Sequence, residues 1–309
     1  MFGFGRRLAG ATLTMALLLA AMVPTAQSAS LRLGLAADVS SLDPHYLNIA
    51  PNVGMSAHFF DALVNVDADG QLIPALATTW RAVDATTWEF TLRRGVKFHD
   101  GSDFTAEDVI FSLDRPAMLT RSPGPFTAYT KQIVAKQIVD PYTVRLKTAA
   151  SYGPMALDVS AIYIVSKKAA EHATTADFNS GKALIGTGPY KLARFRRGDR
   201  IEVVRNDDYW GGASEWDKVT FRIIASSASR LAALLSGDVD AIEAVPTADL
   251  SRLRRSDKFR FAQKISWRTI FWHVDQRAQS SPYVTDLAGK PLAKNPLQDV
   301  RVRKAMSLA

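Results

Sequence analysis

The segment from Trp88 to Arg115 constrains the fold of this chain more than any other, because it joins a strand, a charged turn and a helix with almost no slack. Residues Trp88–Leu92 alternate between apolar and polar side chains, which is typical of a strand with one face on a core. Thr105, followed three residues later by Asp108, has the form of a capping box and marks the start of a helix. We therefore expect a tightly packed strand–turn–helix unit here.

Shorter patterns on both sides of this segment alternate between strands and helices. Strands are expected at Leu31–Ala36, Thr143–Leu146, Tyr190–Phe195, Arg200–Arg205, Val219–Ile224 and Val239–Ala244. Helices are expected at Asn52–Val66, where apolar residues recur at helical spacing, and at Ser229–Leu235. The tripeptide Arg197–Asp199 is interpreted as a glycine turn between two strands and not as an adhesion motif. The alternation of strands and helices indicates an α/β fold.

The N-terminal residues have the composition of an export signal. Arg6 and Arg7 form a basic start, Leu8–Val23 is an apolar core, and Ala26–Ala29 offers small residues for cleavage. A membrane anchor is the alternative, but the apolar run falls short of the roughly 20 residues that a span needs. We expect a cleaved signal peptide at residues 1–29 and an exported mature protein.

The chain carries a net charge of +8, and part of the excess is clustered. The clusters are Arg194, Arg196, Arg197 and Arg200, and Arg252, Arg254, Arg255, Lys258 and Arg260. A nucleic-acid stripe is one interpretation. The export signal argues against nucleic acid as a partner, and such clusters are usually solvated faces.

Enzymatic classes find little support in the sequence. There is no cysteine, which excludes disulfides, thiolate zinc sites and cysteine nucleophiles. The five histidines have no zinc-type spacing, and there is no Gly-x-Ser-x-Gly motif. A metal or acid–base site could be drawn from His99, Asp100, Asp103, Glu107 and Asp108, but turn and cap chemistry explain these residues without a ligand. We expect no enzyme activity and no cofactor; a secreted hydrolase remains the alternative.

Several blocks in sequence order carry a family resemblance. They are Trp88–Arg115, Ile185–Lys191, Arg205–Gly212, Leu235–Ala241 and Asn295–Met306. In these blocks the chain resembles bacterial extracellular solute-binding proteins of family 5, which serve peptide- and nickel-type ABC importers. The glycines of Ile185–Lys191 do not form a dinucleotide-binding loop, since the third glycine is missing and Pro189 enters a strand. One departure is His273–Asp275, near which family members usually carry an Asn.

The resemblance implies a periplasmic binding protein-like two-lobe fold of the peptide-binding type, with an extra small subdomain and an incomplete distal lobe. The implied organisation is a main lobe formed by residues 30–62 and 185–272, a small inserted subdomain at 63–184, and the start of the distal lobe at 273–309. It further implies a monomer that captures a peptide or similar small solute and delivers it to the permease subunits of an ABC importer. Because family members continue further, we expect residues 1–309 alone to bind ligand poorly. A solute sensor without a transport role is a second alternative.

The same architecture points to two candidate ligand-binding stretches. One is the loop Asp38–Asp43, represented by Ser40, Ser41 and Leu42; the other is Ser266, Trp267, Arg268 and Thr269. Trp267 could stack on a ligand and Arg268 could pair a carboxylate, although a core Trp and a solvated strand Arg are equally open interpretations. Weaker candidates are His45, Tyr46 and Tyr129. The solute itself stays open among peptides, nickel chelates, haem, opines and sugars.

Overall fold

The computed structural model describes residues 29–119, 121–265, 271–277 and 280–309. The strands are β1 (Ser30–Leu35), β2 (Val64–Val66), β3 (Leu72–Pro74), β4 (Ala77–Ala82), β5 (Thr87–Leu92), β6 (Ile133–Asp140), β7 (Thr143–Thr148), β8 (Tyr190–Arg196), β9 (Arg200–Arg205), β10 (Lys218–Ile223) and β11 (Ala241–Ile242). The helices are α1 (Ala50–Ser56), α2 (Ala106–Met118), α3 (Thr127–Thr130), α4 (Met155–Ser160), α5 (Lys167–Ala170), α6 (Thr175–Asn179), α7 (Ser227–Ser236), α8 (Leu250–Arg254) and α9 (Val300–Leu308). Two 3₁₀ turns lie at Thr247–Asp249 and Pro296–Gln298. The chain divides into two compact units, with the boundary between Arg260 and Phe261.

The main sheet of the first unit has five strands in the order β11-β1-β10-β9-β8. β1 runs parallel to both β10 and β11, whereas β8, β9 and β10 form an antiparallel run. The predicted hairpin is confirmed, with Phe195 opposite Ile201 and the turn at its tip made by Arg197–Asp199. Gly198 lies at φ 72°, in the left-handed region that a glycine enters without steric cost. The mixed sheet with flanking helices agrees with the predicted α/β class.

A second sheet of four antiparallel strands has the order β4-β5-β7-β6. Phe90 and Leu92 of β5 point into its core, as the alternation around Trp88 predicts, while Trp88 itself is half-buried. The helix α2 begins at Ala106, and the Asp108 carboxylate accepts a hydrogen bond from the Thr105 backbone N–H at 2.9 Å. The capping box that the sequence predicts is therefore confirmed.

Two hydrophobic clusters accompany the two sheets. One consists of buried residues between Leu63 and Ile164, and includes the four-stranded sheet and one face of α2. The other draws on Val39–Phe60 and on Val165–Phe221, and packs against the main sheet. Between β1 and β8 the chain thus leaves the main sheet and builds a separate core.

The predicted helix Asn52–Val66 is wrong beyond its first turns. α1 ends at Ser56, and Val64–Val66 is a strand. The intervening backbone is used in other hydrogen bonds: the carbonyls of His58 and Phe59 accept from the backbone N–H groups of Tyr190 and Gly188. These long-range bonds compete successfully with continuation of the helix, which the apolar spacing alone favours.

The second unit, Phe261–Ala309, is organised by short turns and one helix. A bridge joins Thr285 to Pro291 across the turn Asp286–Gly289. The Asp299 carboxylate caps α9 by accepting a bond from the Arg301 backbone N–H at 2.8 Å. Among the described residues, no helix reaches the length and apolar character needed to cross a membrane.

Candidate functional site

The carboxyl ends of the parallel strands define the strongest candidate ligand surface. β1, β10 and β11 end at Leu35, Ile223 and Ile242, all on one edge of the main sheet. In open α/β sheets, ligands bind beyond the carboxyl ends of the strands. We call the residues that follow these three strands, 36–40, 224–226 and 243–246, the strand-end edge.

A buried arginine holds two segments of the strand-end edge together through hydrogen bonds to their backbone. Arg230 of α7 is 2 % exposed and donates hydrogen bonds to four backbone carbonyls. The acceptors are the carbonyls of Ile224 (2.7 Å), Ala225 (3.2 Å), Glu243 (3.0 Å) and Ala244 (3.0 Å). Its planar fork spans the ends of β10 and β11 at once, a geometry that a lysine cannot reproduce. Arg230 therefore fixes two of the three segments of the edge relative to each other.

Two carboxylates hold the remaining segment. The Glu243 side chain accepts a bond from the Ala36 backbone N–H at 2.5 Å, which links the ends of β1 and β11. The Asp38 carboxylate accepts from the Gly198 backbone N–H at 3.1 Å and lies 3.8 Å from the Arg197 side chain. The tip of the β8–β9 hairpin is thereby tied to the loop after β1.

The first predicted ligand-binding stretch continues inward from this edge. Ser40 is half-buried, and its backbone N–H donates to the Asn52 side-chain oxygen at 3.0 Å. Ser41 and Leu42 are each 1 % exposed, and both bond the side-chain oxygen of Asn179, at 3.2 Å and 2.7 Å. Ser40 is thus the most accessible of the three, and contact of this stretch with a ligand stays a prediction. The second stretch, Ser266–Thr269, lies outside the described residues.

The inner end of the same loop is anchored by a buried ion pair. Asp43 and Arg115 of α2 form a two-pronged contact at 2.6 and 2.8 Å, and Thr175 donates a third bond to Asp43 at 2.8 Å. Burial alone would raise the pKa of the Asp43 carboxyl, but the hydrogen bonds and charge of Arg115 hold it below its ordinary value. The Arg115 guanidinium also lies over the Phe178 ring at 4.4 Å. The inner end of the loop is therefore held in place by side chains of α2 and α6.

The weaker candidates His45, Tyr46 and Tyr129 lie near this anchor. His45 is fully buried, bonds the Tyr163 carbonyl through Nε2 at 2.8 Å, and receives Arg115 at Nδ1. Burial and the Arg115 charge lower the pKa of His45 to about 4, so the ring is neutral at pH 7. Tyr46 is half-buried, and the Tyr129 hydroxyl accepts a bond from the Asn48 amide at 3.1 Å. In this structure His45 therefore acts as part of the anchor.

The glycine-rich stretch Ile185–Lys191 crosses directly over the backbone of Phe59. A Cβ atom on Gly186 would lie 1.9 Å from the Phe59 carbonyl oxygen, and one on Gly188 would lie 2.5 Å from the Phe59 carbonyl carbon. Only glycine fits at such an approach. The glycines thus serve a chain crossing and not a phosphate-binding loop.

A buried aspartate and a half-buried histidine stabilise this crossing. Asp61 accepts bonds from Thr187, Tyr209 and Trp210 at 2.8, 3.1 and 2.9 Å, and burial raises the pKa of its carboxyl. His99 bonds the carbonyl of Gly188 through Nε2 at 2.9 Å, and burial lowers the pKa of its ring to about 4. His99 therefore connects the Trp88–Arg115 segment to the crossing.

The acidic residues around His99 have structural partners. Asp103 pairs with Lys97 at 2.6 Å, Glu107 with Lys167 at 3.0 Å, and Asp100 accepts from Ser102 at 2.6 Å. Across the described ranges, no three His, Cys, Asp or Glu side chains gather as a metal ion would require. Turn, cap and ion-pair chemistry thus explain this cluster.

Sequence reasoning missed the residues that organise the site. Arg230, Asp61 and Asn179 lie in patterns that look like ordinary helix or loop positions, and their partners are distant in sequence. The helix spacing of Arg230 could have shown only that this charge falls on the buried side of α7.

Comparison with known proteins agrees with this architecture. Residues 71–309 match the family described as bacterial extracellular solute-binding proteins, family 5 Middle. The chain is 30 % identical to the nickel-binding periplasmic protein of Escherichia coli K12 over 279 residues, covering 88 % of this chain and 50 % of that protein. It is 29 % identical to the probable D,D-dipeptide-binding periplasmic protein DdpA of the same organism, covering 95 % of this chain and 56 % of DdpA.

Solved structures show the same fold. The murein tripeptide binding protein MppA of Escherichia coli superposes with a TM-score of 0.68 and 26 % identity, over 75 % of this chain and 49 % of MppA. Campylobacter jejuni NikZ, in complex with Ni(L-His), gives a TM-score of 0.66 at 22 % identity over 74 % of this chain and 45 % of NikZ. Identity at this level supports a shared fold only. The chain spans about half the length of the curated relatives it matches. On the family match, the chain belongs to family 5 of the bacterial extracellular solute-binding proteins.

Proposed function

We propose that the protein is the substrate-binding component of an ABC importer, which captures a peptide or similar small solute between two lobes and delivers it to the membrane permease. Membership of the solute-binding family carries this proposal. The strand-end edge supports it, because Arg230 and Glu243 hold the strand ends in place and binding a ligand there requires no catalytic group. Lobe closure would be driven by contacts that the ligand makes only in the closed state.

We propose the following organisation of lobes. A main lobe comprises residues 30–62 and 185–272, a small subdomain comprises 63–184, and the distal lobe begins at 273. The cluster between Leu63 and Ile164 supports a separate subdomain, since its core is distinct from the one on the main sheet. Ser40, Ser41 and Leu42, together with Ser266–Thr269, are the proposed ligand contacts.

The names of the relatives support a small set of solutes. They are described as binding nickel, D,D-dipeptide and murein tripeptide. We propose a short peptide as the solute class. We further propose that the protein acts as a monomer in the periplasm, with no cofactor and no nucleic-acid partner.

A thermal-shift screen of the full-length protein tests this proposal. The probes are dipeptides, tripeptides and a nickel–histidine chelate, each added in excess. A ligand present at about a hundred times its Kd stabilises the native state by about 2.7 kcal/mol. At about 2–4 °C per kcal/mol, the conversion that applies to proteins of about 150–250 residues, that corresponds to a rise of several degrees in Tm.

Mass spectrometry of the recovered ligand separates binding from catalysis. An unchanged peptide, together with loss of its uptake when the gene is deleted, is the expected result. Turnover of the peptide would favour a secreted hydrolase, whereas binding without any uptake defect would favour a solute sensor. Either result would refute the importer proposal.

A further inference from the structure

One face of the main sheet carries a basic surface over β8, β9 and β10. Ile201, Val203, Val219 and Phe221 point to the buried core, so the alternate residues of these strands point to the opposite face. The cations on that opposite face are Lys191, Arg194, Arg196, Arg200, Lys218 and Arg222. We call these six residues the basic face.

Three of its arginines stand directly opposite one another. Arg200 of β9 lies between Arg196 of β8 and Arg222 of β10 in the strand register. Directly opposed side chains on one face lie about 5 Å apart, and like charges in such pairs are destabilising. This row of like charges therefore lowers the stability of the sheet locally. A contribution to sheet stability does not explain why the three arginines share the row.

The carboxylates near this surface are too few to neutralise it. Asp199 serves both Arg196 and Arg200, at 3.5 and 3.1 Å. Glu202 is paired with Lys218 at 2.8 Å, although it also lies opposite Arg194. In the part of the chain that the structure describes, neither Arg194 nor Arg222 has a carboxylate within ion-pair distance; Arg222 reaches only the Asp238 carbonyl, at 3.5 Å.

The basic face is also accessible in the part of the chain that the structure describes. α7 packs over the β1 and β11 part of the sheet, where a Cβ atom placed on Gly34 would lie 3.2 Å from Cγ of Arg230. Over β8–β10 the cations are exposed or half-buried, with Arg196 at 64 % and Arg200 at 41 % side-chain exposure. Three rows spaced two residues apart on three strands spread these charges over about 13 by 10 Å.

This arrangement fits an extended anionic surface better than a compact ligand or a protein partner. A single phosphate cannot reach cations spread over three rows. The hot spots of protein interfaces are enriched in Trp, Tyr and Arg. The basic face offers arginines without an exposed aromatic anchor, because Tyr190, Phe195 and Phe221 of these strands pack against the core. Bilayer headgroups present phosphates as a planar array, and each nearby Lys or Arg strengthens adsorption to them.

We propose that the basic face docks the protein on an anionic phospholipid surface. This proposal does not depend on the solute or on the importer. The family is described as extracellular, and adsorption to an anionic bilayer would confine such a protein to the membrane surface. Because the contact is electrostatic and exposed, it is expected to weaken steeply with salt.

Vesicle co-sedimentation of the exported protein tests the proposal. Mass spectrometry first identifies its N-terminus, to establish that the apolar leader is absent and does not contribute to vesicle binding. The probes are phosphatidylcholine vesicles with and without about 30 % phosphatidylglycerol at about 0.05 M salt. The test variant is Arg194→Gln with Arg222→Gln, since neither residue forms an ion pair with a described carboxylate. The matched control is Arg121→Gln with Lys131→Gln, which removes the same charge from exposed positions beside α3.

Wild type should bind the anionic vesicles and not the neutral ones. The double variant should bind them roughly 25-fold more weakly, at about fivefold per cation, while the control pair loses little. Circular dichroism and thermal unfolding establish that both variants are folded. Equal binding to neutral vesicles, equal loss in both pairs, or wild-type affinity in the double variant would each overturn the proposal, as would capture of an acidic protein with no vesicle binding.

Discussion

The buried Asp43–Arg115 pair offers the sharpest test of how the candidate site is held. Arg115→Met keeps the volume of the aliphatic stem but leaves the Asp43 carboxylate buried, with Thr175 as its remaining side-chain donor. Two charge-assisted bonds are lost, each worth about 1.5–3 kcal/mol. Protonation of the stranded carboxyl limits the penalty, so we expect a loss of about 3–5 kcal/mol in unfolding free energy.

Urea unfolding of single and double variants measures this loss. Asp43→Asn should cost a similar amount, because it strands the guanidinium instead, and the double variant should cost less than the sum of the two. The coupling energy is expected at about 2–3 kcal/mol. Arg81→Met is the control, since Arg81 is exposed and its partner Glu89 keeps Arg145; its loss should stay within about 1 kcal/mol.

The pH dependence provides an independent check. In the wild type the pKa of Asp43 lies below its ordinary value, so its contribution is present above pH about 4 and is lost as the pH falls further. In Arg115→Met, burial without the countercharge should raise the pKa of Asp43, so the cost of the substitution shrinks as the pH falls from about 7 to about 5. A cost below about 1 kcal/mol, or one independent of pH, would refute the reasoning.

Three further predictions concern the crossing and the strand-end edge. Gly186→Ala should lose about 3 kcal/mol or more, because its Cβ would overlap the Phe59 carbonyl, whereas Gly54→Ala in α1 meets no atom and should gain up to about 1 kcal/mol; equal effects in urea unfolding would contradict this. Arg230→Met should lose about 2–4 kcal/mol of unfolding free energy and weaken solute binding. Arg230→Lys should recover only part of the stability, measured by urea unfolding, and only part of the affinity, measured by calorimetry; full recovery by lysine would contradict this. The pKa of buried His45 and that of half-buried His99 are both lowered to about 4, so the free energy of unfolding should fall as the pH drops below about 6.5, by up to about 1.4 kcal/mol per pH unit for each ring; a flat profile down to pH about 5 would exclude this.

Much of the fold could be predicted because the relevant signals are local. The alternation at Trp88–Leu92 and the capping box at Thr105 depend on neighbours a few residues away. The hairpin Tyr190–Arg205 is likewise read from two short patterns around a glycine turn. The helix Asn52–Val66 failed for the opposite reason: hydrogen bonds to the distant crossing end it early.

The candidate site was less predictable than the fold. The sequence indicates the loop after β1 as a place for a ligand, but its polar groups have partners far along the chain. Asn179 holds Leu42 across 137 positions, and Arg115 holds Asp43 across 72. No periodic pattern encodes such pairings, because each depends on where whole elements come to rest.

The sequence by itself determined the family, the α/β class and the local roles of the Trp88–Arg115 segment. Those properties follow from side-chain type, spacing and order, which are written in the chain. Tertiary structure decided that Arg230 braces the strand ends and that His99 anchors the crossing. It also decided that three arginines share one row of an open sheet face. The physical reason is that a buried charge or a cross-strand neighbour is defined by distance in space, and packing of the two cores sets those distances.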